Sequence, residues 1–212
     1  MKKYHLTSTL QGIIGKLNLK QLGIIQQMIN HYITEYKRVK QEYPKENHKV
    51  AFFMQNEVND VTDNKVLEII SEGKSISCGK GCSFCCYLNV DITDDEADLL
   101  HFHIKRNKID IDTQRLEKQS RAKDYDKMPL NQRKCVFLDD KGCCKVYDVR
   151  PIACRKLFVA SPKEDCDTSK NYGKEVARVF DVQAETMASA TLNATDNGRL
   201  STMLLKSLNK DL

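Results

Sequence analysis

Nine cysteines stand out in this 212-residue chain, and four of them fall in the run Cys78-Gly-Lys-Gly-Cys82-Ser-Phe-Cys85-Cys86. Gaps of two and three residues let a loop fold back so that several sulfurs face one point about 2.3 Å away, the zinc–thiolate distance. Gly79 and Gly81 are expected to supply positive φ for that wrap and to leave amide N–H groups free to face sulfur. Cysteine that merely fills a core is dispersed like any small hydrophobe, and a run of this density is not.

Cys85 and Cys86 are adjacent, and neighbouring side chains diverge in most backbone conformations, so the pair suits two metal sites better than one. A second group follows in Cys135, Cys143, Cys144, Cys154 and Cys166. Eight cysteines suffice for two four-thiolate sites, leaving the ninth spare. An odd count and a chain well above miniprotein size argue against a disulfide scaffold, and so does the start of the chain. Polar residues follow Met1-Lys2-Lys3 where a secretory signal would carry an apolar stretch.

The order of the motifs resembles the YkgJ-like cysteine-cluster family of zinc- or iron-chelating domains. The resemblance rests on C-x3-C-x2-C-C, Cys135-Val-Phe-Leu-Asp, Cys144-Lys-Val-Tyr147 and Arg150-Pro151-Ile-Ala-Cys154-Arg155, with Glu96 after the first cluster. It covers roughly residues 70–166. It implies Cys78, Cys82, Cys85, Cys86, Cys135, Cys144 and Cys154 as metal ligands, with Cys166 matching a further cysteine downstream. Cys143 occupies a place where the family usually has another residue and is left out. Relatives include a flagellin lysine N-methylase, but no residue outside the cysteine core supports that activity here.

All-thiolate ligation suits both zinc and iron–sulfur clusters. The crowding of the first run inclines the expected cofactor to iron–sulfur, with zinc as the alternative. The expected function is metal binding through clustered thiolates, with a redox or electron-transfer role. Two alternatives stand beside it. A structural zinc module would shape a surface for a protein partner. An iron–sulfur enzyme is suggested by Cys78-x3-Cys82-Ser-Phe84-Cys85, which resembles the radical S-adenosylmethionine signature; a partial (β/α) barrel should then follow. Arg150 and Arg155 are read as cofactor-binding residues just outside the ligands, offsetting thiolate charge. Lys80, Lys134 and Lys145 are read as solvated, Tyr147 as a packed aromatic and the five histidines as surface residues.

The elements that must position these sulfurs are mostly helical. Leu22, Ile25, Ile29, Tyr32, Ile33 and Tyr36 form one apolar stripe over 19–43, ended by Pro44. Further helices are expected over about 47–58 and 63–73. Thr93-Asp94-Asp95-Glu96 is a capping box opening a helix over about 94–106. A polar helix follows over 113–123. Residues 136–147 suggest two short strands around a turn. Arg150 to Leu157 is expected as a short helix with Pro151 in its first turn, followed by helices over 174–192 and 197–209. The expected fold is mainly α: an irregular cysteine-rich metal-binding core with a short β-hairpin, packed against flanking helices. One domain spans 1–212, with 1–69 a helical N-terminal extension, 70–166 the metal-binding core and 167–212 C-terminal helices.

Composition bounds the rest. With 41% hydrophobic and 30% charged residues the chain is an ordinary globular one, and no apolar run can span a bilayer. Net charge is +5, without the aromatic-studded basic stripe of a nucleic-acid binder. Eight thiolates on two divalent ions would add about four negative charges, so the excess cations compensate for metal sites. A cytoplasmic protein with metal ions as partners, and room for a protein partner, is expected.

Overall fold

The computed structural model describes residues 4–79, 81–171 and 176–211. Lys80 and the expected helix start at residue 174 lie outside the described residues. The helices are α1 (Ser8–Ile14), α2 (Leu19–Glu42), α3 (Asn47–Ser71), α4 (Asp94–Asn107), α5 (Thr113–Arg121), α6 (Leu130–Arg133), α7 (Ile152–Arg155), α8 (Val182–Ala194) and α9 (Leu200–Leu208). Two three-residue strands, β1 (Asp91–Thr93) and β2 (Asn197–Arg199), pair antiparallel with Ile92 opposite Gly198. The fold is mainly α around an irregular cysteine segment, as expected. Among the described residues this antiparallel pair is the whole of the sheet, so the parallel strands of a partial (β/α) barrel are not there.

Amphipathic spacing explains the long helices. On α2, Ile25, Ile29, Tyr36 and Val39 are buried, and Asn18 and Gln21 cap its start reciprocally. Where two helices were expected over 47–73, α3 is continuous. The polar residues that suggested a break are used internally. The Thr62 hydroxyl donates to the carbonyls of Val58 and Asn59, and Gln55 and Asn59 accept hydrogen bonds from the cysteine segment.

Three apolar clusters hold the elements together. The largest joins α4, α5 and α9 to Val136, Phe137, Val146 and Val149. A second joins α2, α3 and α8 to Ile152; a third seats α1 on α2 and α8. The N-terminal segment is also pinned by polar contacts, since Thr7 donates its hydroxyl to Glu185 and Lys156 pairs with the same buried carboxylate at 2.8 Å.

The hairpin expected over 136–147 reduces to one bridge, Leu138 to Cys144, and Tyr147 enters a 3-10 helix, Tyr147–Val149. Val136, Phe137 and Leu138 are all buried, which a strand with one wet face cannot achieve, because its side chains alternate. The helix expected from 174 begins at Val182. Before it, Val179 donates to the Phe158 carbonyl and Ala160 to that of Ala177, so this stretch pairs as extended chain and Asp181 caps α8. No helix among the described residues is long and apolar enough to cross a membrane.

Candidate metal centre

The first cysteine run leaves α3 through a loop in which the Ser77 N–H donates to the Val159 carbonyl at 2.9 Å. Gly81 has φ 84°, the left-handed turn that glycine tolerates. Gly79 does not adopt positive φ. Gly142 also has positive φ, 75°, and a Cβ there would lie 3.3 Å from the Gly81 carbonyl oxygen. The turn at residues 139–144 therefore rests directly on the first run. Asp139 shapes that turn by accepting from the N–H groups of Lys141 and Cys143 at 2.9 and 2.7 Å.

Cys85 and Cys86 lie in a 3-10 helix, Phe84–Tyr87. The Cys135 N–H donates to the Cys86 carbonyl at 2.8 Å, joining the two cysteine stretches through the backbone. Cys144 sits at the bridge with Leu138, and Cys154 lies inside α7. Cys166 ends the 3-10 helix Lys163–Cys166, which packs against Phe84–Tyr87. All nine cysteines are free thiols.

Electrostatics follow this arrangement. The Cys85 thiol is brought down to about 7, chiefly by a hydrogen bond from the Cys86 thiol and also by the Arg150 cation. The same bond, with burial and the thiols of Cys85, Cys135 and Cys154, pushes Cys86 far up. Burial raises Cys135 to about 11, although the Phe137 N–H opposes it. Burial raises Cys144 as well, against the Val146 N–H and Arg150. Cys154 is driven well up by burial and by the thiols of Cys135, Cys85 and Cys144. Cys78 is raised by burial, against the Val159 N–H, with Cys82, Cys85 and Cys166 as its sulfur neighbours. Cys166 rises through burial and the thiols of Cys82 and Cys85. Cys143 stands outside this set: its thiol approaches the Lys141 carbonyl at 3.9 Å.

The two arginines differ. Arg150 stacks 3.8 Å over the Tyr147 ring and favours the thiolates of Cys85 and Cys144. Arg155 is buried and fully engaged: Nε donates to the Arg150 carbonyl at 2.7 Å, and the two terminal nitrogens reach Asn59, Gln55 and the Asp148 carbonyl. It clamps the Cys154 segment onto α3. Glu96, buried, receives the Thr93 N–H on one oxygen at 3.0 Å and the Ile152 N–H on the other at 2.8 Å, thereby capping both α4 and α7. Gln55, Asn59 and Gly142 escaped sequence reasoning. Only Gly142 carried a signal, at the end of Asp139-Asp140-Lys141-Gly142.

Of the eight expected ligands, the fold sets Cys78 beside Cys82, Cys85 and Cys166, Cys154 beside Cys135, Cys85 and Cys144, and Cys86 beside Cys85, Cys135 and Cys154. The donor set is all sulfur, and backbone N–H groups face Cys78, Cys85, Cys135 and Cys144, which fits a thiophilic metal. Among the described residues no group of three His, Cys, Asp or Glu side chains is placed to hold a metal ion. Residues 77–176 match the family model of the CxxCxxCC domain, described as a putative zinc- or iron-chelating domain. No curated protein and no solved structure matches the chain.

Proposed function

With residues 77–176 matching the family model of a zinc- or iron-chelating domain, we propose that this protein holds iron–sulfur clusters through two sets of four thiolates and serves in electron transfer. The eight ligands are Cys78, Cys82, Cys85, Cys86, Cys135, Cys144, Cys154 and Cys166, with Arg150 offsetting their negative charge. The carrying observation is the Cys135–Cys86 backbone bond, which supports a common centre for sulfurs supplied by separate stretches of chain. Crowding of the first run favours iron–sulfur over zinc. A reducing compartment such as the cytoplasm suits free thiols. The reading also takes the chain as one domain, because Glu96 and Arg155 tie the cysteine segment to helices outside it.

Anaerobic purification followed by iron, zinc and acid-labile sulfide analysis tests this. A brown protein absorbing broadly at about 400 nm, with sulfide matching iron, is the expected result. A colourless protein retaining two zinc ions would replace it with the structural zinc module.

A further inference from the structure

We propose that the open cleft between the first cysteine run and the turn after Cys166 binds an alkylammonium group, carried by a lysine side chain of a protein partner or by a free polyamine. The site is separate from the sulfurs and does not depend on which metal they hold.

The cleft forms where α6 and the 3-10 helix Lys163–Cys166 both pack on the 3-10 helix Phe84–Tyr87. A 3-10 helix has three residues per turn, so side chains at i and i+3 eclipse. Phe84 and Tyr87 therefore share one face, and both line the cleft together with Leu130 of α6. Cys85 and Cys86 fall on the remaining sides, where Cys86 has Cys135 and Cys154 as neighbours. The run thus turns its thiols one way and an aromatic wall the other.

Asp167, Thr168 and Ser169 line the cleft from the other stretch, and Ser83 adds a hydroxyl. The two oxygens of Asp167 are used unequally. Oδ1 accepts from the Ser169 N–H at 3.0 Å and from the Ser169 hydroxyl at 2.5 Å, which shapes the turn. Oδ2 has Lys170 Nζ at 3.7 Å, beyond hydrogen-bond length, on a side chain that is 81% exposed. One open oxygen suits a single compact ammonium better than a guanidinium fork, which takes both oxygens of a carboxylate. The aromatic faces favour the same charge, because ring quadrupoles attract cations, and the apolar wall would cover the aliphatic stem. Volume sets the size of the occupant. At ≈ 220 Å³ the cleft falls below the roughly 300–1,000 Å³ of sites for drug-sized ligands, so it takes a chain end and not a cofactor.

Isothermal titration calorimetry of the anaerobically purified protein tests this with Nα-acetyl-lysine amide, with spermidine and, as an uncharged control of the same stem, with Nα-acetyl-norleucine amide. Saturable one-site binding of at least one amine is expected, at least tenfold tighter than the control. Asp167→Asn keeps an oxygen for the Ser169 N–H but loses the charge, and should weaken amine binding at least fivefold with circular dichroism unchanged. Tyr87→Leu, which keeps an apolar wall without the ring, should weaken it several-fold. Tighter binding of acetyl-lysine amide supports a protein side chain as the occupant, and tighter binding of spermidine supports a free polyamine. No saturable heat from either amine overturns the site. So does a control that binds as well as the amines, or an Asp167→Asn protein that keeps the parental affinity. Metal content measured on the same samples separates failure of this site from failure of metal binding.

Discussion

The amide of Cys135 donates to the carbonyl of Cys86 at 2.8 Å, so the two cysteine stretches meet through main chain, whatever their side chains do. A centre built this way keeps its halves adjacent when one thiol is lost, which makes single-cysteine variants informative.

Serine at Cys82 or Cys85 should lower bound metal and thermal stability together, because ligand loss removes folding energy. A loss of only about 3 kcal/mol would lower Tm by roughly 6–12 °C in a chain of this size. Cys143→Ser should do neither, since that thiol faces the Lys141 carbonyl. Elemental analysis with a thermal melt checks both. Metal lost on Cys143→Ser but kept on Cys144→Ser would place the ligand one residue earlier.

Arg155→Ala strands four acceptors around a buried cavity. A cost of roughly 3–5 kcal/mol is expected in urea unfolding. Arg155→Lys should recover only part of it, because one ammonium cannot span acceptors on α3 and on two carbonyls of the cysteine segment.

Gly142→Ala forces a side chain into φ 75° with its Cβ 3.3 Å from the Gly81 carbonyl. The backbone alone costs about 1–2 kcal/mol, and relief can come only by shifting the first cysteine run. Stability and metal content should both fall, whereas Gly79→Ala, with open space around it, should be milder in each measurement.

Asp98 gives a pH signature. Burial raises its carboxyl, but hydrogen bonds from Lys210, Ser207 and Asn47 outweigh that and hold it below its ordinary value. A depressed native pKa contributes stability above the unfolded value of about 3.9. That stability is lost as pH falls through the native value. Asp98→Asn should therefore cost roughly 1–2 kcal/mol at pH 7, and the gap to the parent should shrink on acidification below about pH 4. Melts across that range decide it.

Local rules made much of this molecule legible. The Thr93–Glu96 capping box forms as spacing demands, the stripe on α2 is buried, and Pro151 opens α7. What escaped involves partners far apart in sequence. Asn59 and Gln55 look like helix-weakening polar residues until Arg155 arrives between them. The β1–β2 pair joins Asp91 to Arg199, and neither three-residue stretch has the period or length to announce a strand. Sulfur spacing named a metal-binding segment, but the side on which each thiol falls depends on the turn at Gly142 and on the cap from Glu96.

The two oxygens of Glu96 have an implication for synthesis. Thr93 is its neighbour, but Ile152 emerges from the ribosome much later. Until then a carboxylate destined for the interior lacks the donor on its second oxygen, and closing α4 over it would strand a charge. The amino-terminal half should therefore close over Glu96 only once Ile152, two residues before Cys154, has been made.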